Sequence, residues 1–376
     1  NNILLGFEAG KNQNNVDNNL YIGYKAGHGT TSGDGNIGIG TESGYSLTTG
    51  TNNTNIGYRS GYNTESGNNL NIGYEAGLAN TTGTTNMFIG HQSGGLDRGS
   101  GTALTGGYNI SMGNRTGYNL TEGTRNVFVG NGAGYYSTSA NKNIFMGNMA
   151  GFNNTEGTQN VFIGNAPSDD SSGVGFKNTD GNYNVFIGSN VGVNNTTGSE
   201  NIVIGSEAGE NNSTGQDNIY IGTRAGEAGT TSDNNIMIGN EAGLTNSTGG
   251  DNIYMGNKAG LNINSGKQKN IVIGSEAGQN LNIDNTIAIG TQAGQSNTTG
   301  DENIYIGKQA GKTVETGEKN IFIGSEVGKV AKATASFNTI IGTDAYNNTG
   351  GTHSASNVII IGAEAGTRMI GDVDNQ

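Results

Sequence analysis

The stretch "NIYIGTRAGEAGTTSDNNIMIGNEAG", Asn218 to Gly243, decides how this chain is to be read. The pattern N-I-x-I-G-x-x-A-G occurs in it twice, with Gly222 and Gly239 seventeen residues apart. Followed outward, the Gly that closes N-I-x-I-G recurs twenty-one times, from Gly6 to Gly362. Thirteen of the twenty spacings are 17 residues. A period this regular marks a repeat architecture and has to be settled before any single element is considered.

The slots around the anchor Gly are strongly restricted. One residue before it is always Ile, Leu, Val or Met, and three before is aliphatic or Met in nineteen copies. Four before is Asn in nineteen copies, and four after is Gly in nineteen. Apolar residues at −3 and −1 flanking a more variable −2 read as a short strand. Gly at 0 and +4 breaks that strand and permits a corner. Seventeen residues are too few for a strand–helix unit and too many for a tight hairpin. One strand cannot bury its own apolar face, whereas coils stacked on coils can. The expectation is an all-β fold, a parallel β-solenoid (β-roll) of about 21 coils. It is a single solenoid over 1–376 with the Ile pairs turned inward.

Composition agrees once the repeat is seen. Of 376 residues, 69 are Gly and one is Pro, and 31% are apolar. Without the regular placement, such a chain would read as disordered. Net charge is −13 with only 13% charged residues, so no concentrated basic surface exists and a nucleic-acid partner is not expected. With no Cys there are no disulfides or thiolate metal sites. No apolar run is long enough to insert into a membrane. The chain opens at "NNILLG", already inside a repeat, and is expected to be a segment of a longer one.

Three slots carry further expectations. The Asn slot, with Asn201, Asn218, Asn235 and Asn252 as consecutive rungs, suggests a structural ladder, because an amide can bond to the coils on both sides. The +2 slot alternates charge, as in Glu8, Lys25, Glu42, Arg59 and again in Glu207, Arg224, Glu241, Lys258; it loses the pattern at Gly132 and Met149. This reads as a solvated salt-bridge ladder. The −2 slot holds Phe88, Phe128, Phe145, Phe162, Phe186 and Phe322 with Tyr220, Tyr254 and Tyr305. If the flanking Ile pairs face inward, these rings face outward and need a cover. Identical chains side by side would supply one. The alternative is a second wall of the same coil, which would make the stripe core.

The run N-[IV]-x-I-G-x-x-A-G, as at Asn201–Gly209 and Asn303–Gly311, resembles the head repeats of trimeric autotransporter adhesins and the Asn/Gly/Thr-rich repeats of phage and bacterial fibre proteins. The resemblance covers nearly the whole chain. It implies a left-handed β-roll in a side-by-side homotrimer, displayed outside the cell or on a virion and used for adhesion to a host-surface glycan or protein. The 17-residue period is longer than that of adhesin heads, and the "N-x-T-G" segment is not among their signatures.

Nothing in the residues points to catalysis or to a cofactor or metal. His28, His91 and His353 lie in distant coils, and no nucleophile elbow, phosphate loop or zinc motif occurs. Two insertions, at 95–108 and 165–183, would emerge as loops, and loops on a rigid scaffold often bind. Asp97, Arg98, Asp169, Asp170, Phe176 and Lys177 are the receptor-loop candidates. Asp169, Asp170 and Asp180 read more readily as a solvated loop than as a cation site. N-x-[ST] triplets at Asn80, Asn114, Asn119, Asn153 and Asn195 are formal glycosylation signals. The expected role is an extracellular fibre or adhesin rod, not an enzyme. Alternatives are a subunit of a longer self-assembling filament and an ice-binding solenoid carrying a Thr ladder.

Overall fold

The computed structural model describes residues 1–95, 103–165, 172–263, 266–329, 336–347 and 356–367. The chain is an all-β parallel β-solenoid of about 19 turns with a repeat of about 17 residues. It divides into two compact units, Asn1–Thr197 and Gly198–Gln376. The first holds eleven strands, β1 (Ile3–Leu5) to β11 (Val185–Ile187), and the second ten, β12 (Ile202–Ile204) to β21 (Ile359–Ile361). Every strand is three residues long. Within each unit consecutive strands pair in parallel and in register, as Ile219, Tyr220 and Ile221 do with Ile236, Met237 and Ile238.

Backbone geometry explains the two glycines of the motif. The anchor Gly adopts φ values that L side chains avoid, +136° at Gly23, and a Cβ there would sit 2.5 Å from the carbonyl oxygen of Gly40 in the next coil. Only glycine lets the coils approach so closely. The Gly at +4 is left-handed, and a Cβ on Gly27 would lie 2.4 Å from the ring of Tyr21. That second glycine therefore clears space for the −2 side chain.

This reverses the expected orientation of the strand. The middle residue points inward: Phe88, Phe128, Phe145, Phe162, Phe186, Tyr220, Tyr254, Tyr305 and Phe322 are all buried inside the coil, at most 1% exposed. They are core residues and are not available as an oligomer interface. The physical reason is volume. One ring, an Ala at +3 and one side chain at +7 fill the interior beside a glycine wall, whereas two Ile per coil would not face that wall. The −3 and −1 residues are half-buried to exposed on the outer face of the sheet, as at Ile144, Met146, Ile202 and Met255.

Core rings stack along the coil axis. Phe128, Phe145, Phe162 and Phe186 follow one another at 5.2, 4.9 and 4.8 Å, with planes 14° or less apart. Burying each ring contributes roughly 1.5–3 kcal/mol and each ring pair about 0.5–1.5 kcal/mol more. Between Tyr21 and Phe88 the interior turns polar. Asn71 donates to Asn55 Oδ1 at 2.8 Å, and Ser43 and Ser60 replace Ala at +3.

The long coils keep register by different means. Phe88 still pairs with Ser111, and Leu104 bridges back to Asn80, so the coil that carries the first insertion is in register on both sides of it. In the second, Val174 and Gly175 rebuild the corner that Ala and Gly form elsewhere. A Cβ on Gly175 would lie 2.4 Å from the Phe162 ring, as one on Gly151 would lie 2.5 Å from Phe145. The insertion therefore enters before its corner, and Phe162 still pairs with Phe186.

Candidate functional site

What faces inward is brace, and what faces outward is what a partner can meet. The Asn slot belongs to the brace. Asn218 donates its backbone N–H and its Nδ2 to Asn201 Oδ1, both at 3.1 Å, and a second Nδ2 proton to the carbonyl of Ser232 at 2.7 Å. Its own Oδ1 accepts the same pair from Asn235 at 3.0 and 3.1 Å. Asn252 repeats this toward Asn235. Asn201, Asn218, Asn235 and Asn252 are fully buried, so each amide joins neighbouring coils and is out of reach of a ligand. Where Thr286 takes the slot, the bond from Asn303 N–H lengthens to 3.4 Å.

A second buried amide column, at +7, explains the "N-x-T-G" segments. Asn212, Asn246 and Asn297 each accept from the N–H of the Gly three residues on and donate back to that Gly's carbonyl. Asn178 and Asn195 add cross-coil bonds of 2.7 Å, to Asn154 and Asn178. Asn80 and Asn195, two of the glycosylation signals, are therefore buried; Asn114 is exposed, and Asn119 and Asn153 are half-buried. The Thr column beside it is also committed: Thr121, Thr138, Thr155 and Thr179 each donate Oγ1 to the carbonyl of the next coil. These protons are not free for ordered water.

The outer surface carries three patterns. At +2, Glu42 meets Arg59 at 2.6 Å, Arg224 meets Glu207 and Glu241 at 3.7 and 3.3 Å, and Lys258 meets Glu241 at 3.8 Å. Its hydrogen bond to Glu42 holds the Arg59 guanidinium above its usual pKa. On the sheet's outer face, two aliphatic columns at −3 and −1 run through each unit without a charge, interrupted only by Thr54 and Thr339. At +5, the first unit stacks Tyr118, Tyr135, Phe152 and Phe176 at 4.9, 4.9 and 5.3 Å. A shorter run joins His28, Tyr45 and Tyr62.

That outer ring ladder borders a pocket of about 350 Å³, floored by Gly132 and walled by Arg115, Met149, Phe152 and Tyr136. It is a concavity that a small ligand could enter among the described residues, and its one trace in the sequence is the broken charge pattern at Gly132. Of the receptor-loop candidates, Phe176 ends the ring ladder, and Lys177 is exposed and donates to Asn194 at 2.7 Å. Asp97, Arg98, Asp169 and Asp170 lie outside the described residues.

Among the described residues no group of three His, Cys, Asp or Glu could hold a metal ion. Among the described residues no helix is long and apolar enough to cross a membrane. No protein-family description matches this chain, and no curated protein matches it.

Proposed function

We infer that the chain is an extracellular structural fibre whose solenoid holds identical chains side by side and displays its aromatic flank in several copies. The observation carrying this reading is the pair of uncharged aliphatic columns on the outer face of the sheet in both units. An apolar stripe repeating at every coil far exceeds the patches that monomers leave in water. Its period is the strand spacing, about 4.8 Å. A second copy of this chain has the same period and the same two columns, so its rows can seat at every coil rather than at one spot. Closed rotational symmetry would then cover the stripe, and three chains is the number that the adhesin resemblance supports. Multivalent display raises avidity without new contacts. The extracellular setting rests on the same resemblance.

Sedimentation equilibrium tests the reading. The intact chain should run at about three times its 38.5 kDa, and Ile144→Ser with Met146→Ser, Ile202→Ser and Met255→Ser should run as folded single chains. A native protein already sedimenting at the mass of one chain would overturn it.

A further inference from the structure

We propose that the pocket over Gly132 is a saccharide site that takes one pyranose unit of a glycan chain. This deepens the fibre reading and rests on it. Two departures from the repeat coincide in this coil. The +2 slot holds a side chain in every other described copy, whereas here it is Gly132. Backbone conformation does not require that glycine, since Arg115 and Met149 hold the same slot at φ 51° and 53°. A Cβ at Gly132 would meet Phe152 and Met149 at 3.4 to 3.7 Å, ordinary contact distances. The missing side chain therefore makes room and nothing else.

The second departure is Tyr136. Its slot is small or polar in the neighbouring coils, as at Asn119 and Asn153, and it holds no other ring among the described residues. Tyr136 lies across the ladder, 4.7 Å from Tyr135 at 68° and 5.3 Å from Phe152 at 85°. No described ring stacks on it, and it is 44% exposed. The ladder rings cover each other's faces, so Tyr136 offers the free one.

Polar groups surround that ring. Among the described residues the Asn114 side chain has no hydrogen-bond partner, and Asn131 uses only its Nδ2, on Asn148 at 3.1 Å. Arg115 donates Nε to Gln92 at 3.2 Å, and no described side chain accepts from its outer nitrogens. A pyranose matches this set. Its axial C–H bonds form an apolar face for the electron-rich ring, while its hydroxyls lie at the edge, where the amides both donate and accept hydrogen bonds and the guanidinium donates them. A purely apolar ligand would bury these groups unpaired.

The test uses the whole chain and three soluble probes: a cello-oligosaccharide, a chito-oligosaccharide and an oligogalacturonate, titrated while Tyr136 is followed by NMR. At least one probe should bind. Gly132→Gln, which restores the side chain found at Gln92, and Tyr136→Asn, which restores that of Asn119, should each weaken binding at least tenfold with melting unchanged. If the oligogalacturonate is the probe that binds, Arg115→Gln should remove its advantage. Binding of none of the three, or equal binding by both variants, overturns the proposal. Sedimentation separates the two readings, since a failed pocket leaves the assembly mass intact and a failed fibre leaves the titration intact.

Discussion

The two units share one coil and differ in what fills and decorates it. The first is cored largely by phenylalanine, from Phe88 to Phe186, and carries outward ring ladders. The second is cored by Tyr220, Tyr254, Tyr305 and Phe322. Outside, its +5 slot holds Glu210, Glu227, Leu244 and Gln295 where the first unit has Tyr135 and Phe152. The repeat thus separates scaffold from cargo. Backbone slots at 0, +4 and −4 stay fixed because geometry leaves few choices, whereas −2, +2 and +5 vary because only volume or solvent constrains them. The outward ring ladder from Tyr118 to Phe176 accordingly lies in the first unit.

The largest expected effect compares neighbours on one strand. Phe145→Ser removes a ring from the middle of a stack and should cost the first unit about 3–5 kcal/mol, read as a drop in denaturation midpoint. Met146→Ser, on the outer face, should leave the folded single chain nearly unchanged and act on assembly instead.

Alkaline pH should separate the units next. Desolvation inside the coil pushes Tyr220 up to about 12 and raises Tyr254 and Tyr305 as well, whereas in the first unit Tyr21 alone among the described residues is raised as far, up to about 12. A raised tyrosine means that the unfolded chain ionises first. Stability is full below the ordinary pKa of 10 and falls as pH rises toward 12, by about 1.4 kcal/mol per unit for each group. Hydrogen exchange across that window should therefore show the second unit opening before the first. Tyr220→Phe with Tyr254→Phe and Tyr305→Phe should reverse the order, because Tyr21 of the first unit is still raised.

Smaller effects follow from the ladders. Thr286→Asn restores a rung and should stabilise the second unit by about 1 kcal/mol, seen as a higher melting temperature. Arg224→Gln breaks exposed pairs to Glu207 and Glu241. It should give the smallest shift, which vanishes in about 1 M salt, where screening reaches the length of the pair.

Much of this fold was legible in the sequence because the period was. The coil length and the parallel stacking follow from the spacing of the anchor glycines, which do hold the close approach between coils. The direction of the strand's faces was not legible from alternation alone. In a three-residue strand, two Ile outnumber one ring, and counting apolar residues favours the wrong side. The deciding signal was Gly at +4, which is needed where a ring lies against it; Gly175, displaced by the insertion yet still packed on Phe162, makes the point. Gly132 stood out as a gap in the charge ladder, but its meaning depends on Tyr136 and Phe152 closing around it, which needs three dimensions.

The orientation of the strand and the mating of its outer face can be tested together, because the chain has no cysteine of its own. Single-cysteine variants Met146→Cys and Phe145→Cys would be treated with a flexible bis-maleimide under native conditions. Met146→Cys should join chains into a species of about twice 38.5 kDa while Phe145→Cys stays unreacted. Chains joined through Phe145→Cys, with Met146→Cys inert, would contradict that orientation.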